Sequence, residues 1–176
     1  AFTKSAQFPF HIWLPSAMEA PTPVSAYLHA ATMVKAGLYL IARLTPLFAG
    51  DPVWGNTVTL AGTLTLVWGG ILACKQVDLK ALLANSTVSQ LGLIVALLGL
   101  QTKTAIFAAI LHILNHAAFK GALFLTAGTV EHATHTRDIR NLGGIGKIFP
   151  VLAIMATLAS LSMAGLPPMG GLRWVT

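Results

Sequence analysis

The sequence has 176 residues, of which 55% are hydrophobic and 9% charged, with a formal net charge of +6. A soluble domain carries about 25% charged residues, so this chain lacks the polar groups that would cover it in water, and its apolar residues fall in runs long enough to cross a bilayer. Lys and Arg are scattered instead of forming a basic stripe interleaved with aromatics, which argues against a nucleic-acid partner, and the single Cys74 excludes an internal disulfide or a CxxC metal motif.

Six membrane segments are predicted, which makes the fold class an all-α integral membrane bundle read as a single transmembrane domain over residues 1–176. The first runs from Ala1 to about Met18 and is broken by Pro9 and Pro15. The second runs from about Thr22 to Phe48, with Pro21 and Pro23 at its start, where proline is tolerated. The third spans about Val53 to Cys74, the fourth Lys80 to Leu100, the fifth Thr104 to Thr126 and the sixth Ile148 to Leu166. A spanning helix needs about 20 apolar residues, and the first and last segments fall short of that. Strands are excluded on the same physical ground, because lipid admits only helices or closed barrels and these runs are long. The one sizeable polar connection, Ala127 to Lys147, contains the turn glycines Gly143, Gly144 and Gly146. No start Met, signal peptide or transit segment is present, and the chain ends abruptly after Pro167-Pro168, so it reads as a piece of a longer protein.

Orientation follows from basic residues in short loops. Lys75 and Lys80 lie in one connection and Arg137, Arg140 and Lys147 in another on the same side, against Arg43 and Lys103 opposite. Loops 75–80 and 127–147 are therefore expected to be cytoplasmic, in the cell (inner) membrane of a prokaryote.

The ionisable residues inside apolar runs carry the functional signal. Lys35 sits mid-segment in HAATMVKAGLYLIAR, where a lysine costs about 2.5–3.5 kcal/mol on insertion scales. His112, His116 and Lys120 are spaced i, i+4, i+8 on the fifth segment and form one polar stripe, about 6 Å apart in rise, a spacing that suits proton hopping through water. The bland reading is that these groups only bond neighbouring helices. His-x-x-x-His also holds zinc in other settings, but no third carboxylate or thiol lies nearby, so no metal is expected. Lys80 begins the fourth segment after Asp78 and reads either as an interfacial anchor or as a buried charge, and His29 as a core histidine or a pathway group. Ser86, Thr87, Ser89 and Gln90 bond across helices or hold water. Lys4 and His11 lie in the proline-broken segment, a kind of element found at membrane depth where it lines a cavity. No nucleophile–base pair, phosphate loop or haem motif is present, and Gly69-Gly70 fits no nucleotide fingerprint, so neither a cofactor nor substrate chemistry is expected.

The stretch KSAQFPFHIWLPSAMEAPTPVSAYLHAATMVKAGLYLIAR resembles the antiporter-like subunits shared by respiratory complex I and Mrp-type cation/proton antiporters, and so, in the same order, do DLKALLANSTVSQLG, HILNHAAFKGALFLTAG and TRDIRNLGG. The resemblance runs from Lys4 to about Gly170. It implies two inverted five-helix repeats with broken helices and a line of buried charges along the membrane midplane. Lys4 matches the family's key lysine on the broken helix, Lys35 a lysine found in some members, Lys80 the central bridging lysine, and His112, His116 and Lys120 the histidine-lysine connection toward the exit. His11 and His29 fall on histidines seen in the family. The context MVKAG, STVSQLGLI and NHAAFKGALF is most similar to the A-type branch of the Mrp antiporters, and the alternative is the proton-pumping branch of complex I.

The resemblance implies a proton-translocating subunit with no redox cofactor, embedded in the lipid bilayer among other subunits of a multisubunit complex and exchanging protons for a monovalent cation, Na+. Protons would pass from Lys4 to Lys35 or Lys80 and then along His116, His112 and Lys120. In the complex I alternative the same route would belong to an NADH-quinone oxidoreductase. The glutamate that the family pairs with the lysine at Lys4, and a later lysine after the Pro-Pro motif, are absent here. The ending GGLRWVT departs from the family's continuation and reads as a truncation or frameshift tail, so this piece is not expected to transport alone. Two rivals of other classes are a membrane scaffold, in which the buried lysines serve assembly only, and an intramembrane metalloenzyme with zinc at His112 and His116.

Overall fold

Proline and short capping side chains set the helix boundaries. The structure, a computed structural model, describes residues 1–27 and 32–166. Three helices are long and apolar enough to cross a membrane: α4 (Pro52–Cys74), α5 (Leu79–Gly99) and α6 (Lys103–Thr134). Each starts on a side chain that accepts a free backbone N–H of the first turn. Asp51 accepts from Val53 at 2.9 Å, Asp78 from Ala81 at 2.9 Å and Thr102 from Ala105 at 3.2 Å. α6 stops where His135 turns left-handed, at φ 54°.

The remaining elements are short. α1 (Trp13–Ser16) and α2 (Thr22–Ala26) follow a turn-rich start, and α3 is Met33–Leu44. α7 (Ile145–Ile148) is a single turn that leads into α8 (Pro150–Met163), with Pro150 as its first residue.

α5 is the central helix, in contact with α1, α3, α4 and α6. Leu91, Ile94, Val95 and Leu98 are buried in one cluster with Leu14, Val34, Leu38 and Ile41. α4 lies against α5 at backbone distance through small residues. A Cβ on Gly62 would come within 2.7 Å of Gly92 O, and one on Gly69 within 2.7 Å of Ser89 N. Lipid supplies no hydrophobic drive between helices, so this close packing and the Ser89 Oγ bond to Leu66 O, at 2.8 Å, hold the pair. α6 packs on α5, α2 and α8.

Several boundaries differ from the sequence reading. The fifth segment does not end at Thr126 but continues as helix to Thr134, which removes the first part of the expected polar loop. At 1.5 Å per residue α6 is about 48 Å long against a hydrocarbon core of about 30 Å, so its polar final turns need not lie in lipid. Of the second segment, Thr22–Ala26 and Met33–Leu44 are α-helix, and it closes on a 3-10 turn at Thr45–Phe48. The sixth is shortened at both ends to 14 residues, Pro150–Met163, about 21 Å of helix. Three helices therefore have spanning length among the described residues, where the sequence reading expects four. No strand forms there beyond an isolated bridge between Asp78 and Asp138.

Candidate functional site: a buried lysine–histidine row

The i, i+4 spacing on α6 turns His112, His116 and Lys120 toward the interior of the bundle. His116 and Lys120 are both 0% exposed, and His112 is half-buried. His112 Nε2 meets Gln90 Oε1 on α5 at 2.6 Å. Lys120 Nζ donates to Leu83 O at 3.2 Å and to the Ser86 hydroxyl, both on α5. Between them Lys35, half-buried on α3, donates to Ile113 O on α6 at 3.1 Å. His116 packs edge-on against Phe119, with centroids 5.5 Å apart, and neither of its ring nitrogens has a hydrogen-bond partner among the described residues.

The lysines fall into two kinds of environment. Lys35 and Lys120 donate to carbonyls and a hydroxyl, with no carboxylate among their described partners. Either can lose its proton without leaving an unpaired anion behind. Lys80, 4% exposed in the first turn of α5, sits instead 2.7 Å from Glu131 Oε2. Lys80 is buried in this pair, and Glu131 is partly exposed.

Glu131 is the residue that sequence reasoning misses, because the run GTVEHATH reads as loop. With α6 continuous, Glu131 lies eleven residues after Lys120, about three turns on and so on the same face. Thr22 Oγ1 donates to Glu131 Oε2 at 3.1 Å, and Arg137 Nε approaches Oε1 at 3.4 Å. Arg137 also faces Asp78 at 3.7 Å. Its backbone is fixed where Leu79 N donates to Arg137 O and Ile139 N to Val77 O, both at 2.9 Å. Those bonds join the connections before α5 and after α6 at one end of the bundle. An open cavity of about 680 Å³ lies beside this cluster, lined in part by Thr22, Gly128, Glu131, His132 and His135. Further out, Arg140 grips Asp138 at 2.7 Å and holds its carboxyl below the usual carboxylate range, mainly through side-chain hydrogen bonds.

The first segment is less tightly joined to the row. The Lys4 side chain is exposed and takes no ion pair among the described residues. Its backbone lies against α3, since a Cβ on Gly37 would meet Ser5 N at 2.7 Å, two residues along from Lys35. His11 is buried and stacks on Phe8, with centroids 5.9 Å apart, and its Nδ1 lacks a hydrogen-bond partner among the described residues. His29 lies outside the described residues. Of the polar groups on α5, Ser86 and Gln90 serve the row and Ser89 ties α4, while Thr87 bonds back to Leu83 O in its own helix. Among the described residues no three His, Cys, Asp or Glu side chains come together as a metal site.

Residues 1–173 match the transmembrane family described as NADH:quinone oxidoreductase/Mrp antiporter. The chain is 60% identical, over 97% of its length, to the A component of the Na(+)/H(+) antiporter of Alkalihalophilus pseudofirmus, and 58% identical over 97% to the A1 component of that of Staphylococcus aureus. It spans 23% of the length of each. Among solved structures it superposes on the Mrp complex from a Dietzia species with TM-score 0.93 and 51% identity, covering 98% of this chain and 19% of that one. It also superposes on an archaeal respiratory membrane complex, the membrane-bound sulfane sulfur reductase, with TM-score 0.87 and 32% identity, covering 94% of this chain and 35% of that one.

Proposed function

The chain belongs to the NADH:quinone oxidoreductase/Mrp antiporter transmembrane family, and from that premise we propose that it forms part of the proton-conducting membrane domain of a multisubunit monovalent cation/proton antiporter. The observation that carries this reading is the wholly buried Lys120, held by neutral acceptors in one row with His116 and His112. A buried cation without a carboxylate is costly, and a scaffold has no use for it. A group that gains and loses a proton has.

In this reading protons pass between Lys80 and Lys120, then along His116 and His112, with Lys35 reaching the same stretch of α6 from α3. Successive groups on α6 are about 6 Å apart, a gap that one or two waters bridge. Each proton that moves changes the field at the next group, so the steps are coupled. Lys4 and His11 belong to the approach from the broken segment, and His29, on the second segment, is a supporting group. The cation exchanged is Na+, as in the names of the antiporter relatives, and the partners are the other subunits of the complex. The connection before α5 and the segment that follows α6, residues 135–147, face the cytoplasm. A respiratory proton pump is the second reading, and the lower identity to the respiratory complex, 32% against 51% for the Mrp complex, favours the antiporter.

The test is Lys120→Met in the assembled complex. Everted membrane vesicles with a pH-sensitive dye should report loss of Na+-driven proton movement, with normal assembly on native gels. Transport at the wild-type rate from an assembled Lys120→Met complex would rule the row out.

A further inference from the structure

We infer that Glu131 is the group through which Lys80 exchanges protons with the cavity at the C-terminal end of α6, so that this cavity is the aqueous mouth of the pathway. The inference rests on the proton-conducting role proposed above for the row.

Three observations meet at Glu131. First, access differs sharply across the pair: the Lys80 side chain is 5% exposed and that of Glu131 31%, while Glu131 is also a wall of the cavity. Second, the carboxylate has more donors than one lysine. Lys80 and Thr22 share Oε2, and Arg137 holds Oε1. When Lys80 is a neutral amine, Arg137 and Thr22 still satisfy the carboxylate, so the pair can open without stranding a charge. Third, the cluster is locked in place from three elements. Thr22 packs on Gly128, where a Cβ would come within 2.7 Å of Thr22 Cβ, and Arg137 is pinned by the backbone bonds to residues 77 and 79. The charged and titratable groups around Glu131 are thus Lys80 and Asp78 at the start of α5, Arg137 in the loop, and His132 and His135 at the end of α6.

The step balances simply. Lys80 passes one proton inward and becomes an amine. Glu131 takes one proton from water in the cavity, with His132 and His135 as nearby carriers, and hands it across the 2.7 Å contact to Lys80 Nζ. The carboxylate and ammonium are then restored. The reverse order serves release.

The experiment uses the assembled complex in everted vesicles and measures the initial rate of cation-driven proton movement as a function of pH. Glu131→Gln keeps the shape and the Thr22 contact but cannot carry a proton, and its rate should fall about a hundredfold, the scale of a lost acid–base group. Glu131→Asp keeps the acid on a shorter reach, and should retain measurable transport with a displaced pH profile. Near wild-type transport by Glu131→Gln, with Lys120→Met inactive, overturns this inference and leaves the row standing. Near wild-type transport by both overturns the row as well. If Glu131→Gln does not assemble, Glu131→Asp decides: a displaced profile supports the exchange, and a rate and profile equal to wild type overturn it.

Discussion

Replacing Lys80 separates its charge from its proton. Lys80→Met keeps most of the side-chain volume and removes the ammonium, leaving Glu131 with Arg137 at 3.4 Å and Thr22 at 3.1 Å. Stripping one partner from a fully buried pair costs about 3–5 kcal/mol. Here the carboxylate is 31% exposed and keeps two donors, so the cost falls to about 1–2 kcal/mol. The complex should therefore assemble, with a small fall in melting temperature, and should not transport. Lys80→Arg should assemble like wild type, since a guanidinium can hold the same carboxylate, yet fail to transport because it does not deprotonate in proteins. Native gels and a thermal melt report the first effect, and dye-monitored everted vesicles the second. Wild-type transport from Lys80→Arg would refute the requirement for proton release at this site. Wild-type transport from Lys80→Met would reduce Lys80 to a structural ion pair.

Gly62→Leu should force α4 off α5, because its Cβ would sit 2.7 Å from Gly92 O. Overpacking of this kind costs about 1–3 kcal/mol and should appear as loss of assembled complex on native gels. Gln90→Leu should leave His112 Nε2 without its 2.6 Å partner, slowing transport with a stability loss of about 1–2 kcal/mol, read from vesicle rates and melting. Arg140→Gln should leave transport at neutral pH unchanged. Arg140 holds the Asp138 carboxyl low, so its contribution to loop order is present above the ordinary carboxylate pKa and lost only as pH falls through the depressed value. In Arg140→Gln the carboxyl keeps only its bond from the backbone N–H of residue 140, so the smaller contribution that remains should be lost at higher pH, which limited proteolysis of residues 135–148 across acid pH would detect.

Much of the site was legible because helix periodicity is a local property. The four-residue spacing of His112, His116 and Lys120 needed no tertiary information to define a face, and α4 and α5 were visible as unbroken apolar runs. Glu131 was not legible, because GTVEHATH has the composition of a loop. It stays helical because Gly128 lets Thr22 pack close and because Lys80, Arg137 and Thr22 satisfy its one carboxylate. Those partners are distant in sequence, so no local pattern announces them. The two settings of the lysines were hidden for the same reason. Whether a lysine meets a carboxylate or a carbonyl depends on which helix faces it, as the Lys35 bond to Ile113 O shows. The proline breaks signalled an irregular first segment, and the backbone there is indeed turn-rich, but its placement of Lys4 on the exposed side depends on packing against Gly37.

The most direct test of the central claim is proton flux in proteoliposomes that contain the purified complex and an imposed Na+ gradient, followed by an internal pH dye. The account predicts Na+-dependent proton movement by the wild type and none by an equally well incorporated Lys120→Met complex. Equal flux from the two would contradict it.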